Sequence, residues 1–153
     1  MLARAWRSYS EQLASRPLRV KALTSATVSG AGDLLCQLAI QRTERVDWRR
    51  LATFTTLGGA LVAPALHSWY SGLHKLFPGC GASVVARRLF LDQALFAPLF
   101  IPIFMGSVLL VDGHPSPRAK VSEDWWPTVT NNWRLWVPAQ LVNFGCVPLQ
   151  YQF

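Results

Sequence analysis

Three long stretches of this chain, 51–74, 93–111 and 135–153, contain no Asp, Glu, Lys or Arg. A bilayer core about 30 Å thick is crossed by roughly 20 mostly apolar residues in a helix. All three stretches have that length. Charged residues make up only 15% of the chain, against about 25% in soluble domains. A soluble protein of 153 residues rarely leaves so much of itself uncharged. The reading is all-α: a polytopic membrane four-helix bundle, preceded by an N-terminal interfacial helix, in a single membrane domain over 1–153.

The expected spans are about 20–40, 51–73, 89–111 and 135–153. The first is only modestly apolar, with Asp33 inside it. Ala22, Ala26 and Gly30 form a small-residue row at i, i+4 spacing, which lets helix backbones approach closely in lipid. Ser25, Ser29, Asp33, Gln37 and Gln41 form a polar stripe at the same spacing. In hydrocarbon such a stripe must face protein or water. Residues 1–19 hold Arg4, Arg7, Arg16 and Arg19 against one acid, Glu11. Trp6, Tyr9 and Leu13 share one helix face there. This segment reads as interfacial, with a mitochondrial targeting segment as the alternative. The connectors are 41–50, the Pro78-Gly79-Cys80-Gly81 turn, and a long loop over 112–127. No internal repeat or low-complexity tract is evident. The positive-inside rule gives no orientation, because Lys and Arg divide almost evenly between the two sides.

The intramembrane polar residues are the informative ones, because a charge in hydrocarbon costs several kcal/mol. Asp33 leads, with Ser29 and Gln37 on its stripe. Asp92 and Gln93 open the third span, and Gln140 and Asn143 lie in the fourth. These side chains either bond to one another and hold the helices together or line a polar path. Lys21 and Arg42, the bases nearest Asp33 in sequence, are too far along the helix for a direct pair, so its partner must come from another helix or from water. Pro64, Pro98, Pro102, Pro138 and Pro148 are expected helix kinks. Trp125, Trp126, Trp133 and Trp136 are expected interface anchors, since indole is apolar with one polar N–H.

No nucleophile elbow, phosphate loop, paired-His metal spacing or dinucleotide fingerprint occurs. The expectation is therefore no enzyme activity, no cofactor and no metal. His67, His74 and His114 stand alone and read as interfacial or loop residues. Cys36, Cys80 and Cys146 show no C-x-x-C or metal spacing and read as small buried residues. The net charge of +7 comes from clusters between the apolar segments, such as Arg49-Arg50 and Arg87-Arg88. That placement suits lipid headgroups, and no nucleic-acid motif accompanies it.

Several short pieces, in order and nearly end to end, carry a family resemblance. They are Trp6-x-x-Tyr9 with Pro17, Gly32-Asp33 with Gln37, and Asp47 with Arg49. Pro64-x-x-His67-x-Trp69-Tyr70-x-x-Leu73, Asp92-Gln93 with Ala97-Pro98, and Trp126-Pro127 follow. The last is Asn132-Trp133-x-x-Trp136-x-Pro138-x-Gln140-x-x-Asn143-Phe144-x-x-Val147-Pro148. The chain resembles the Mpv-seventeen / peroxisomal membrane protein twenty-two family. That resemblance implies a small four-helix protein of organelle membranes: the mitochondrial inner membrane, with the peroxisomal membrane as the alternative. It also implies a weakly selective channel for small solutes or ions. A non-conducting structural or assembly protein is the alternative. Membrane lipid is the expected surrounding, a homo-oligomer is compatible with it, and nucleic acid is not a partner. The family pattern continues past Val147-Pro148, whereas this sequence ends at Gln150-Tyr151-Gln152-Phe153, so the C-terminal end of the pattern is absent. The usual Gly before the second-span proline is Ala63.

Overall fold

A computed structural model describes residues 2–79, 81–148 and 151–152, with side chains from Tyr9 onward. Cys80, the side chain of Trp6 and residues 149, 150 and 153 of the expected last span lie outside the described residues. Among the described residues there is no strand. The elements are α1 (Leu2–Ser15), α2 (Pro17–Leu35), α3 (Trp48–Leu57), α4 (Ala63–Leu76), α5 (Ala82–Leu91), α6 (Ala97–Val111) and α7 (Pro117–Cys146). Three π turns, Cys36–Ile40, Gly58–Val62 and Asp92–Phe96, extend or join them. The result is five continuous helical runs: 2–15, 17–40, 48–76, 82–111 and 117–146. One of them, Ala82–Val111, is long and apolar enough to cross a membrane: its most apolar 18-residue window has a mean hydropathy of 2.3 and is almost entirely unburied. The chain divides into two units, Met1–His67 and Ser68–Phe153.

In the first unit, Pro17 sets the break between α1 and α2. Proline disfavours the helical region for the residue before it, and Arg16 leaves that region accordingly, at φ −141° and ψ 63°. Pro17 then occupies the first turn of α2, where its missing N–H costs nothing. Leu13 is buried, and Tyr9 Oη lies 3.4 Å from Thr24 Oγ1. Helices α2 and α3 form a hairpin. Arg42 takes a left-handed conformation, φ 52°, in its turn. Asp47 then caps α3 by accepting from Arg50 N at 3.0 Å. Glycine lets the two arms close: a Cβ on Gly58 would stand 2.9 Å from the Ser25 carbonyl oxygen, and one on Gly59 3.2 Å from that of Ala22. The polar stripe of α2 turns inward, with Ser25, Asp33 and Gln37 buried, while Leu23, Val28, Leu35 and Ile40 are exposed.

In the second unit the expected 112–127 loop needs correcting, and so does the end of the fourth expected span, 135–153, because α7 stops at Cys146. The stretch 117–127 is helix, not loop, and α7 begins at Pro117. Pro117 fills the first helical position, which is compatible with its missing N–H. The remaining connector is only 112–116. Pro127 and Pro138 lie inside α7, and Pro102 inside α6. Pro148 falls past the end of α7, where Val147 is already extended, so it follows the helix rather than kinking it. Tyr70, Leu73, Ala97, Val129 and Phe144 are buried together with Arg88, Asp92, Gln93, Gln140 and Gln152. Leu95, Leu99, Ile103, Leu110, Leu135 and Val142 are exposed.

Candidate functional site: internal polar clusters

The candidate residues fall into internal polar clusters, one in the first unit and two in the second. In the first unit Asp33 sits between two partners. Arg50 Nε, from the first turn of α3, lies 2.7 Å from Asp33 Oδ1. Gln37 Nε2, one turn on in the π turn that extends α2, donates to Asp33 Oδ2 at 2.7 Å. Gln37 also fastens the hairpin, accepting from Asp47 N at Oε1 at 2.7 Å. Arg50 donates onward to Gln41 Oε1 at 3.0 Å. The Asp33 side chain is 1% exposed and that of Arg50 31%, so the pair is shut in at the acid and open at the base. Ser29 is half-buried and packs opposite Gly58.

The second unit holds two clusters around α4, α5 and α7. Asp92 accepts from Trp69 Nε1 at 3.0 Å and from Gln93 Nε2 at 2.7 Å. Asn132 Nδ2 donates to Gln93 Oε1 at 3.4 Å. Gln140 Nε2 donates to Tyr70 Oη at 2.6 Å, and Asn143 Nδ2 to Gln140 Oε1 at 2.7 Å. Gln152 Nε2 donates to the carbonyls of Asn143 and Val147, and its Oε1 lies 2.8 Å from His74 Nε2. Arg88 donates to the carbonyls of Phe77 and Gly79 and lies 3.3 Å from His74. His74 is therefore part of a cluster, not solitary.

Two of the four expected interface anchors, Trp125 and Trp133, answer a need that the prolines create. In the π turn the N–H of Ala97 bonds to Asp92 O. The next residue, Pro98, has no N–H, so the Gln93 carbonyl is left without a helical donor. Trp133 Nε1 fills it at 2.8 Å. Pro102 likewise deprives the Pro98 carbonyl of its regular donor, four residues on. Trp125 Nε1 fills that one at 2.9 Å. An unsatisfied carbonyl in hydrocarbon costs several kcal/mol, so these indoles hold α6 and α7 together. Trp126 and Trp136 are exposed. His114 Nδ1 accepts from Ser116 N in the 112–116 connector. Cys36 is half-buried but Cys146 is exposed, which corrects the buried reading for Cys146.

Sequence reasoning missed Arg50, Trp69, Tyr70, Arg88 and Gln152 as members of these clusters. Arg50 had a usable signal: it stands at the third helical position after the capping Asp47, on the arm folded back against Asp33. For Gln152, beyond the end of α7, the sequence offered no comparable cue.

The profile of the Mpv17 / PMP22 family matches residues 109–153. Protein sym-1 of Neurospora crassa is 35% identical over 148 residues, covering 94% of this chain and 86% of that protein. The mitochondrial inner membrane protein Mpv17 of Homo sapiens is 33% identical over 151 residues, covering 96% and 86%. Protein SYM1 of Debaryomyces hansenii is 30% identical over 166 residues, covering 99% and 81%. No solved structure matches the chain. Relatives from mouse, zebrafish and human share the name mitochondrial inner membrane protein, and the mitochondrial inner membrane is where this chain resides. The chain belongs to the Mpv17 / PMP22 family.

Proposed function

We propose that the chain crosses the mitochondrial inner membrane four times and serves there, without catalysis, as a weakly selective channel for small solutes or ions. The carrying observation is the inverted distribution of side chains. Asp33, Gln37, Arg88, Asp92, Gln93 and Gln140 are buried, whereas Leu23, Ile40, Leu76, Phe90 and Leu110 are each about 70% exposed. Apolar surface outside and polar groups inside suit a protein solvated by lipid. The four spans lie within 17–40, 48–76, 82–111 and 117–146. Polar groups within the spans are the material from which a water path is built. In the structure, Asp33, Gln37, Asp92, Gln93 and Gln140 are bonded to protein, so conduction requires some of these bonds to be exchanged for water.

One observation favours a second reading, a non-conducting assembly protein. Asp33 is paired to Arg50 on another helix, which is the arrangement expected of a fastening residue. Planar-bilayer recording of purified protein separates the two. The channel reading expects wild-type conductance and an altered conductance for Asp33→Asn or Gln140→Leu. Absence of conductance in wild-type protein across several lipid mixtures would overturn it.

A further inference from the structure

Two of the π turns share a sequence. Ala60-Leu61-Val62-Ala63-Pro64 and Ala94-Leu95-Phe96-Ala97-Pro98 are the same motif, Ala-Leu-x-Ala-Pro, a short repeat that the sequence reading passes over. The structural register matches as well. Each π turn ends on the residue before Ala-Pro: Gly58–Val62 precedes Ala63, and Asp92–Phe96 precedes Ala97. Each alanine N–H bonds five residues back, Ala63 to Gly58 O and Ala97 to Asp92 O. Both alanines are buried. Proline explains the coincidence, because its ring clashes with the carbonyl four residues earlier. Widening the preceding turn by one residue relieves that clash without ending the helix.

We propose that the two Ala-Leu-x-Ala-Pro π turns are matched hinges, one in each unit, and that the second is latched by Trp133. A π turn holds one residue more than the α-helical turn it replaces. Its loss or migration rotates one side of the helix against the other by about 100° and shifts it about 1.5 Å. At the second hinge such a step swings Asp92 and Gln93 away from Trp69, Asn132 and Trp133. It must also break the Trp133 bond to Gln93 O, the carbonyl that Pro98 leaves open. That bond is the latch. The opening residues differ with local purpose. Gly58-Gly59 let the hairpin arms touch, while Asp92-Gln93 face the polar cluster. The shared part is the proline and the wide turn before it.

Hydrogen–deuterium exchange on the full chain in lipid nanodiscs tests this without reference to conduction. In wild-type protein, amides of 59–63 are expected to exchange at least about ten-fold faster than those of 50–56 in the same run. Amides of 93–97 are expected to lie between the two, held by the latch. Trp133→Phe keeps the ring and removes the N–H. It should speed exchange over 93–97 by about ten-fold and leave 59–63 unchanged. Pro98→Ala restores the missing donor and should slow 93–97 alone. Equal protection of both π turns and their flanking helices in wild-type protein overturns the hinges, a result that needs no variant to fold. Unchanged exchange at 93–97 in a folded Trp133→Phe overturns the latch.

Discussion

Arg50→Met is the most informative single substitution, because it removes a charge while keeping a long side chain. The Nε–Oδ1 distance is 2.7 Å, which puts the charge centres about 4 Å apart. At an effective dielectric constant of about 20 that pair is worth roughly 4 kcal/mol. Removing one member of a fully buried pair typically costs about 3–5 kcal/mol. Arg50 keeps 31% of its side chain exposed, so water already screens the base, and the expected loss is about 2 kcal/mol. Asp33→Asn should cost less, because the amide oxygen can still accept from Gln37. In the double variant the orphaned acid is gone, so the summed single losses should exceed the double loss by about 1 kcal/mol or more. The assay is denaturant unfolding in detergent, followed by tryptophan fluorescence. A folded Arg50→Met as stable as wild-type protein, or strictly additive losses, would refute the view that Asp33 is held by α3.

Gly58→Ala should destabilise the chain by about 1–3 kcal/mol, because the new Cβ would fall 2.6 Å from Ser29 Cβ. Gly72→Ala, with nothing within 4 Å of its Cβ, serves as the control in the same melt. Tyr70→Phe leaves Gln140 without its phenol acceptor and should cost about 1–2 kcal/mol, read by the same unfolding curve. Lys120 lies in the charged first turns of α7, outside the expected span. Its hydrogen bond to Asp124, then the charges of Asp124 and Glu123, hold its ammonium above the ordinary lysine value. A raised pKa contributes stability that is fully present below the unfolded value and is lost as pH rises through the folded one. The amides of 118–124 should therefore gain exchange, beyond its intrinsic rise, only above the ordinary lysine pKa of about 10.4. Lys120→Ala should abolish that step.

What was legible in the sequence was whatever helical period alone dictates. The Ser25–Asp33–Gln37 stripe was readable because residues four apart share a face whatever packs against them. The need for a partner to Asp33 on another helix, or in water, followed from hydrocarbon energetics. The identity of that partner did not, since Arg50 arrives through the reversal at Arg42 and the cap at Asp47. The start of α7 was misread because Glu123, Asp124 and the prolines resemble loop chemistry. Pro117 at the first helical position was the overlooked sign. The tasks of Trp125 and Trp133 were hidden for another reason. An indole beside a membrane reads as an anchor, and only the open carbonyls left by Pro98 and Pro102 show what its N–H is for.

The salt bridge beside the turn of the first hairpin constrains how the nascent chain enters a bilayer. Residues 17–40 are only modestly apolar, and a lone carboxylate within the helix adds roughly 2.5–3.5 kcal/mol to the cost of inserting them. The compensating guanidinium is on the next helix and comes later in import. A first segment presented alone would therefore stall at the membrane surface or slide through. The carboxylate is paired only once α3 lies beside it, so the two helices are expected to enter together as a hairpin. Early biogenesis thus has a two-helix unit as its smallest step, and substitutions at Asp33 or Arg50 would act on membrane integration before they act on the mature fold.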